Sequence, residues 1–246
     1  MLTPNRTTTP ASALTRNADA SADFADKLER SRATLRQAAA EFSPATQASS
    51  LGAEDVVITH LINTLQLDLP IFVLETGALH RETLALLERT EAHSRAPVRV
   101  FRPDPAAVIQ FVRNEGQDAM YKSMAQRKAC CEIRKMEPLA RALQGHRAWI
   151  TGLRREQSNA RAEVPLLDSS DPNLAKFNPL AEWTWGDVWH YIEQNKVDYN
   201  PLHDQFFPSV GCAPCTRAVS LGEDFRAGRW WWELETAKEC GLHVKA

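Results

Sequence analysis

The sequence predicts an α/β protein, a single domain with a central, mostly parallel sheet flanked by helices. Short apolar runs typical of buried strands alternate with longer amphipathic stretches typical of helices. The chain has 246 residues, of which 43% are hydrophobic, and this is enough to bury one sizeable core. Turns that contain Gly, Ser and charged residues follow several predicted strands, at the edge where parallel sheets bind ligands.

The predicted elements alternate along the chain. Residues 22–42 are predicted to form a helix, because their apolar side chains fall on a rough stripe at helical spacing. A short strand toward Ser50 then leads through a turn into an apolar helix within residues 51–66. Residues 69–75 (LPIFVLE) form a short apolar run typical of a buried strand. The later elements are helices at 81–89 and 105–113 and strands at 97–101 and 148–152.

Composition narrows the functional classes. The 29 Lys and Arg residues against 31 Asp and Glu residues give a net charge of -2, so we expect neither a broad nucleic-acid surface nor a membrane-binding face. No apolar run approaches the roughly 18 residues of a membrane span, and the first residues lack the apolar middle of a signal peptide. We therefore expect a cytoplasmic protein with reduced thiols. Residues 1–20, rich in Thr, Ser and Ala, are expected to be a disordered leader.

The cysteines are the most informative residues. Cys130 and Cys131 are adjacent, and a trans peptide holds their Cα atoms about 3.8 Å apart, closer than the roughly 4.4–6.8 Å of most disulfides. Cys212 and Cys215 have the Cys-x-x-Cys spacing of a metal centre. Four thiolates suit a structural zinc ion or an iron-sulfur cluster, and the adjacent pair, unusual for zinc, favours the cluster. The residues after this pair are compatible with the start of a helix.

Three turns after predicted strands contain candidate binding residues, at 49–55, 75–80 and 151–161. In the first turn, Gly52 allows a tight bend around an oxyanion such as phosphate or sulfate, next to a helix N-terminus. The two acidic residues of this turn, Glu54 and Asp55, favour the start of a helix whether or not a ligand binds there. The third turn supplies forked donors suited to the same anions, and its alternative is a solvated basic loop. Those donors are Arg154, Arg155 and Arg161, with Gln157 and Ser158.

Together the motifs resemble one enzyme family. SSLGAEDVV, ETGALH, the adjacent cysteines, GLRREQS, GCAPC and a final ECGLH occur in the order seen in phosphoadenylyl- and adenylyl-sulfate reductases, over residues 45–243. The chain closely resembles the assimilatory adenylyl-sulfate (APS) reductases of the iron-sulfur branch. The resemblance implies an adenine nucleotide alpha hydrolase-like fold. It also implies thiol-dependent reduction of APS to sulfite and AMP, in sulfate assimilation toward cysteine.

The resemblance assigns roles to individual residues. It implies that Cys130, Cys131, Cys212 and Cys215 bind a 4Fe-4S cluster. Cys240 matches the nucleophile, whose thiolate attacks the sulfur of APS to give an S-sulfocysteine; from the residues alone it is a lone thiol near the chain end. Lys135 matches a lysine that links cluster and substrate, against the alternative of a solvated lysine. The substrate-binding residues inferred from the turns and from the family are Ser50, Gly52, Asp55, Thr76, Gly77, Arg154, Arg155, Arg161, Arg226 and Arg229.

The chain is expected to have three parts. These are the leader at 1–20, an α/β nucleotide- and cluster-binding reductase domain at 21–225, and a mobile C-terminal segment at 226–246 that carries the catalytic cysteine and closes over the site. Residues 230–232, three consecutive tryptophans, are expected to pack this segment rather than stack on adenine. The implied partners are APS and a dithiol donor of the thioredoxin or glutaredoxin type, without nucleic acid or membrane. A homo-oligomer is compatible with the sequence.

The chain departs from the family pattern in two turns. Where many members read LDTGRLHPET, it reads LETGALHRET. Asp55 stands where the wider group of ATP-splitting pyrophosphatases has the final serine of its loop, which argues against ATP cleavage. Two alternative functions stay open. One is reduction of the 3'-phosphorylated substrate PAPS, whose enzymes usually lack the four ligand cysteines; the other is a non-catalytic nucleotide-binding module with a four-cysteine zinc site.

Overall fold

A computed structural model describes residues 11–220 and 222–233. Within these ranges, strands form one sheet that is flanked by helices. The strands are β1 (Ala45–Ser49), β2 (Ile71–Leu74), β3 (Val98–Phe101), β4 (Ala148–Ile150), β5 (Leu167–Asp168) and β6 (Ala175–Phe177). The helices are α1 (Ala13–Asn17), α2 (Phe24–Glu41), α3 (Ala53–Thr64), α4 (Arg81–His93), α5 (Pro105–Glu115), α6 (Met124–Cys131), α7 (Glu137–Leu143) and α8 (Trp185–Asn195).

The strand order places a crevice at the middle of the sheet. The order is β3-β2-β1-β4-β6-β5, and the neighbouring strands are parallel except β5 with β6. Gln47 in β1 pairs with Ile71 of β2 on one side and with Ile150 of β4 on the other. The direction of winding therefore reverses between β1 and β4, where α/β sheets open a crevice beyond their carboxyl ends. The predicted fold class is confirmed.

Apolar burial on both faces holds the sheet between its helices. Ile71 and Val73 of β2 are at most 1% exposed and face the main core, which α3 and α8 complete. Phe72 points the opposite way, since side chains alternate along a strand, and packs with Leu139 and Trp149 beneath α7. Strands covered on both faces are continuous apolar runs in the sequence. This explains why β2 was predictable from LPIFVLE.

The N-terminal region is more ordered than the sequence predicts. Residues 11–20 are not a disordered leader, because α1 packs against the core beside α8. Ala13 N donates to Asp204 Oδ1 at 2.6 Å, and Arg16 Nη2 donates to the His203 carbonyl oxygen at 2.8 Å. A helix as short as α1 spans little more than one turn, too little to produce an apolar period. Residues 1–10 of the predicted leader lie outside the described residues.

The helix that carries the adjacent cysteines begins earlier than predicted. Ser123 caps α6 by accepting a hydrogen bond from Gln126 N at 3.2 Å, so the cysteines lie at the end of this helix and not at its start. The chain continues through a π-helical turn (Glu132–Met136) into α7. Pro138 has no N–H to donate to the carbonyl four residues back, which favours such an irregularity. No helix in the described ranges has both the length and the apolar character needed to cross a membrane.

Candidate active site

A cleft of about 210 Å³ opens beyond the carboxyl ends of β1, β2 and β4. Its walls come from the three turns that the sequence singles out and from the π-helical turn after α6. The described part of the C-terminal segment, residues 226–233, covers another side. The cleft therefore occupies the crevice that the strand order creates.

The turn after β1 is closed by a carboxylate. Asp55 Oδ2 accepts hydrogen bonds from Ser50 N at 2.7 Å and from Ser50 Oγ at 2.6 Å. Leu51 has the left-handed φ of 61°, whereas Gly52 has φ -75°, which any residue adopts. The predicted reason for Gly52 needs correction, because it contributes open space before α3 and not an unusual backbone. The N-terminus of α3, with its free N–H groups, begins directly after it.

Two buried carboxylates at the start of α3 differ in their pKa. Burial raises the pKa of Asp55 from 3.8 to about 6, and the charge of Glu54 adds to this, against the hydrogen bonds from Ser50. Burial also acts to raise the pKa of Glu54, but Arg154 and Gln157 hold it below its ordinary value. Glu54 is therefore a fixed charge neutralised by Arg154. Asp55 is the group of this turn whose charge changes near pH 6.

The arginines of the turn after β4 have different surroundings. Arg154 Nε donates to Glu54 Oε1 at 2.9 Å, and Arg154 is 1% exposed and does not line the cleft. Arg155 Nε donates to the Val164 carbonyl oxygen at 2.9 Å, also away from the cleft. Of the three arginines predicted to bind an anion, Arg161 alone lines the cleft. Arg154 does not, because Glu54, a carboxylate distant in the sequence, engages it.

Four cysteines come together beside the cleft. Cys130, Cys212 and Cys215 lie in one buried cluster with Trp230, and Cys131 is half-buried. Burial, followed by the neighbouring Cys212 and Cys131 thiols, raises the pKa of Cys215 to about 12. Burial also raises the pKa of Cys130. Ionising these thiols together requires positive charge among them, which a metal centre supplies.

The thiol cluster fits a metal-sulfur centre by its donor set and by one unsatisfied group. Trp230 Nε1 is buried against these cysteines and has no hydrogen-bond partner among the described residues. A buried donor without an acceptor costs about 1–3 kcal/mol, and sulfur atoms of a bound centre are acceptors of the kind it lacks. The fit therefore concerns the donor types and not the positions of the side chains, because in residues 11–220 and 222–233 no group of three or more His, Cys, Asp or Glu side chains is arranged to hold a metal ion.

The turn after β2 connects the cleft to the thiols. Thr76 lines the cleft, and its Oγ1 lies 3.2 Å from Cys212 Sγ. Arg134 Nη1 donates to the Thr76 carbonyl oxygen at 2.7 Å, which ties the turn to the π-helical turn. Ala213 N donates to the Ala78 carbonyl oxygen at 2.7 Å. Both of the segments that carry a cysteine pair therefore hold this turn in place.

Cationic side chains line the cleft, and two of them also act on the thiols. Those that line the cleft are Lys135, Arg161, Arg226 and Arg229. The three arginines are at most 8% exposed. Lys135 and Arg229 also act to lower the pKa of Cys215, against its burial, so they lie within electrostatic range of the thiols. A chain with a net charge of -2 thus concentrates positive charge at one place.

The described part of the C-terminal segment packs over the thiols. Thr216 and Arg229 form an antiparallel bridge, and Trp230 N donates to the Cys215 carbonyl oxygen at 3.2 Å. Trp230 is 1% exposed and also lines the cleft, whereas Trp231 is 38% exposed, so the three tryptophans do not all face inward. Residues 226–233 are therefore part of the folded site. Residues 234–246, including Cys240, lie outside the described residues.

The predicted site residues fall into four groups. The cleft is lined by Ser50, Gly52, Asp55, Thr76, Lys135, Arg161, Arg226 and Arg229. The thiol cluster contains the four cysteines predicted as metal ligands. Gly77, Arg154 and Arg155 lie near the cleft without lining it. Cys240 lies beyond the described residues.

Two residues of the site were not among those predicted. His203 lines the cleft and is 4% exposed; its Nδ1 lies 2.7 Å from the Phe207 carbonyl oxygen, and its Nε2 has no hydrogen-bond partner among the described residues. Burial lowers the pKa of His203, so the ring is neutral at neutral pH. In the sequence, His203 stands out only as a histidine nine residues before Cys212, which could complete a zinc site if one of the four cysteines were not a ligand. Arg134 did leave a signal, because it follows Cys131 by three residues, less than one helical turn.

Comparison with known proteins agrees with this geometry. Residues 44–218 match the family model described as the phosphoadenosine phosphosulfate reductase domain. The chain is 50% identical over 210 residues to the adenosine 5'-phosphosulfate reductase of Allochromatium vinosum, covering 85% of this chain and 82% of that one. It is 47% identical over 223 residues to the protein of the same name from Burkholderia cepacia, covering 90% and 89%.

Solved structures share the fold. A phosphate complex of phosphoadenylyl-sulfate (PAPS) reductase from Candida auris has a TM-score of 0.64 at 24% identity and covers 80% of this chain and 98% of that one. An FMN adenylyltransferase from Candida glabrata has a TM-score of 0.56 at 14% identity and covers 93% and 82%. At these identities the similarity concerns the fold alone.

Proposed function

This chain belongs to the phosphoadenosine phosphosulfate reductase domain family, and from that premise we propose that it reduces adenylyl sulfate (APS) to sulfite and AMP with electrons from a dithiol. The names of its relatives, adenosine 5'-phosphosulfate reductases that are 45% to 50% identical, support this substrate. One observation carries the proposal: four cationic side chains line a cleft of about 210 Å³, and two of them, Lys135 and Arg229, are also within electrostatic range of a cluster of cysteines.

The cleft suits the two anionic groups of APS. The N-terminus of α3 and the turn at Ser50 suit a phosphate, because free N–H groups and a partial positive charge meet there. Lys135 and Arg229 suit the sulfate, since both line the cleft and lie within electrostatic range of the thiols. Arg226, whose guanidinium lies 6.0 Å from the ring centroid of Trp230, adds a third cation. Arg161 adds a further guanidinium to the wall. Burial of these cations strengthens their attraction for an anion relative to water.

The first proposed step is nucleophilic attack by Cys240. A bond forms between Cys240 Sγ and the sulfur of APS, the bond from that sulfur to the bridging oxygen breaks, and AMP leaves with the electron pair. The enzyme then carries an S-sulfocysteine. Lys135 and Arg229 would stabilise the negative charge that develops on the bridging oxygen. The role of Cys240 is supported by its position in ECGLH.

The second proposed step consumes two electrons from a dithiol. One thiolate of the donor attacks Cys240 Sγ, and sulfite leaves with the electron pair of the sulfur-sulfur bond. The second thiol of the donor then breaks the mixed disulfide, which restores the Cys240 thiolate and leaves the donor oxidised. A thioredoxin or glutaredoxin-like protein supplies such a dithiol. The reaction needs a reducing compartment, so we place it in the cytoplasm.

We propose that Cys130, Cys131, Cys212 and Cys215 hold a 4Fe-4S cluster. When bound, the cluster supplies positive charge among thiolates that otherwise resist ionisation. The surrounding residues support this assignment, because Thr76 Oγ1 lies against Cys212 and the buried Trp230 Nε1 lacks an acceptor. The electrons of the proposed reaction come from the dithiol, so the cluster need not carry them.

We also propose that residues 226–246 act as one unit of the site. Their described part contributes Arg226 and Arg229 to the cleft, and Cys240 follows Glu233 by only seven residues. Residues 21–225 then form the body that binds the nucleotide and the metal centre.

The Cys240→Ser variant tests the proposal. We expect it to lose sulfite release from APS with a dithiol donor, because serine cannot form the S-sulfo intermediate. Iron and sulfide content should equal that of the unmodified protein, since Cys240 is not among the four proposed ligands. Sulfite release at the unmodified rate would remove Cys240 from the mechanism, and stoichiometric zinc in place of iron would favour a non-catalytic module instead.

A further inference from the structure

A buried ion pair joins the C-terminal segment to the helix that carries the adjacent cysteines. Arg127 Nε donates to Glu233 Oε1 at 2.6 Å, and Arg127 Nη2 donates to Glu233 Oε2 at 2.9 Å. The side chains are 2% and 7% exposed. Two parallel hydrogen bonds from one guanidinium to one carboxylate fix both the distance and the orientation of the partners. Glu233 is therefore held in one place relative to α6.

Arg127 is itself held from several sides. Its guanidinium lies 4.6 Å from the ring centroid of Trp230, a cation-π contact that packs it under the segment. It also hydrogen-bonds the Cys131 side chain, four residues along the same helix. Arg127 thus contacts the thiol cluster and the segment together. Moving Glu233 would expose or unpair this buried cation, which is costly.

Among the described residues, the ion pair follows two other contacts that attach the segment to the fold. Arg217 N donates to the Gly228 carbonyl oxygen at 3.0 Å, and Trp230 N donates to the Cys215 carbonyl oxygen at 3.2 Å. These bonds attach the segment to the second pair of cysteines, and Glu233 attaches it to the first. Arg229, which lines the cleft, lies between the two attachments.

We propose that the Arg127–Glu233 pair positions Arg229 at the wall of the cleft by fixing residues 226–233 against α6. This inference rests on the proposed function, because it concerns Arg229 as a ligand of the sulfate group of APS. Glu233 follows Arg229 by four residues, and the ring of Trp230 contacts both guanidinium groups, with its centroid 4.7 Å from that of Arg229 and 4.6 Å from that of Arg127. Arg127 and Glu233 are positioning residues, acting through Arg229.

The chain offers a matched control. Arg217 and Glu223 form another bidentate pair, in which Arg217 Nη1 and Nη2 each donate to a Glu223 carboxylate oxygen at 2.8 Å. Their side chains are 37% and 33% exposed, and the pair joins neighbouring parts of one loop without touching α6. Glu223→Gln removes the same charge as Glu233→Gln from an equivalent bidentate pair. Exposed pairs contribute little to stability, so this control should be nearly silent.

The experiment compares the two variants as purified, iron-loaded proteins. Each is mixed anaerobically with saturating APS and no reductant, and the rate of S-sulfonate formation on Cys240 is followed by quenched intact mass. We expect Glu233→Gln to form the adduct about 10- to 100-fold more slowly, because a displacement of about 1 Å within an active site costs about this much in rate. Glu223→Gln should stay within about twofold of the unmodified protein. Glu233→Asp, which keeps the charge, should recover part of the rate.

Hydrogen exchange separates positioning from general destabilisation. In Glu233→Gln, the amides of Arg229, Trp230 and Glu233 should exchange faster, while amides of β1 and β2 and the iron content stay unchanged. Equal adduct rates in the Glu233 and Glu223 variants would overturn the inference. Loss of iron or faster exchange of the sheet in both Glu233 variants would also overturn it, because the pair would then serve folding. If the unmodified protein forms no adduct, the proposed function fails instead.

Discussion

At the scale of single residues, burial decides which charged groups face the substrate. Arg154 and Arg161 belong to the same turn, yet Arg154 is paired with Glu54 and Arg161 lines the cleft. Asp55, next to Glu54, is hydrogen-bonded to Ser50 and has no such cation to offset its burial. Its pKa of about 6 makes the charge of the anion-binding turn depend on pH.

The pH dependence of stability should show the shift of Asp55. Its pKa rises from 3.8 in the unfolded chain to about 6 in the fold, so its contribution is fully present below about pH 4 and is lost as pH rises through 6. About 2 pKa units correspond to roughly 3 kcal/mol. We expect the unfolding free energy of the unmodified protein, minus that of Asp55→Asn, to fall by about this amount between pH 4 and 7. Urea unfolding at several pH values measures it, and a difference that is flat or rises with pH would contradict the shift.

Lys135, on the π-helical turn, lines the cleft and lies within electrostatic range of the thiols. Lys135→Ala should slow S-sulfonate formation in a single turnover by about 10- to 100-fold, because a charge aimed at the developing negative charge is lost. Iron content should not change. Lys128→Ala is the matched control, since Lys128 is exposed on α6, which leads into the π-helical turn. Unchanged single-turnover kinetics in Lys135→Ala would mean that Lys135 is an ordinary solvated lysine with no part in the sulfur transfer.

At the scale of elements, the sequence predicts what is local and periodic. β2 and β4 are apolar runs with turn residues after them, and both were predicted close to their observed positions. β5, β6 and α8 were not predicted: β5 has two residues and β6 three, too few for a pattern. α8 is rich in Trp and polar residues, and its place depends on packing against α1 and α3.

The site shows the same division. The cysteines, Lys135 and the turn after β1 were found because each motif is contiguous in the sequence. The partners of Arg154, Arg155 and Arg127 lie elsewhere in the fold, and the pairing of Arg127 with Glu233 spans 106 residues. Sequence reading identifies a guanidinium but not the carboxylate that engages it. His203 was missed for the same reason, since tertiary packing alone brings it to the cleft.

At the scale of the whole molecule, strand order and chain order together build the site. The reversal of winding between β1 and β4 opens the cleft, and the π-helical turn places Lys135 on its wall. The cysteine pairs, about 80 residues apart, meet beside it and hold the C-terminal segment in place. Each part is unremarkable alone; their common location makes the fold suited to sulfur transfer from a nucleotide.

The most direct test of this account is the intact mass of the iron-loaded protein after anaerobic incubation with APS and no reductant. We predict a brown protein with iron-sulfide charge-transfer absorbance that gains about 80 Da, one sulfonate, with the added mass on Cys240. The adduct should disappear, with release of sulfite, when a dithiol is added. A colourless protein with stoichiometric zinc and no added mass would contradict both the proposed cluster and the proposed reaction.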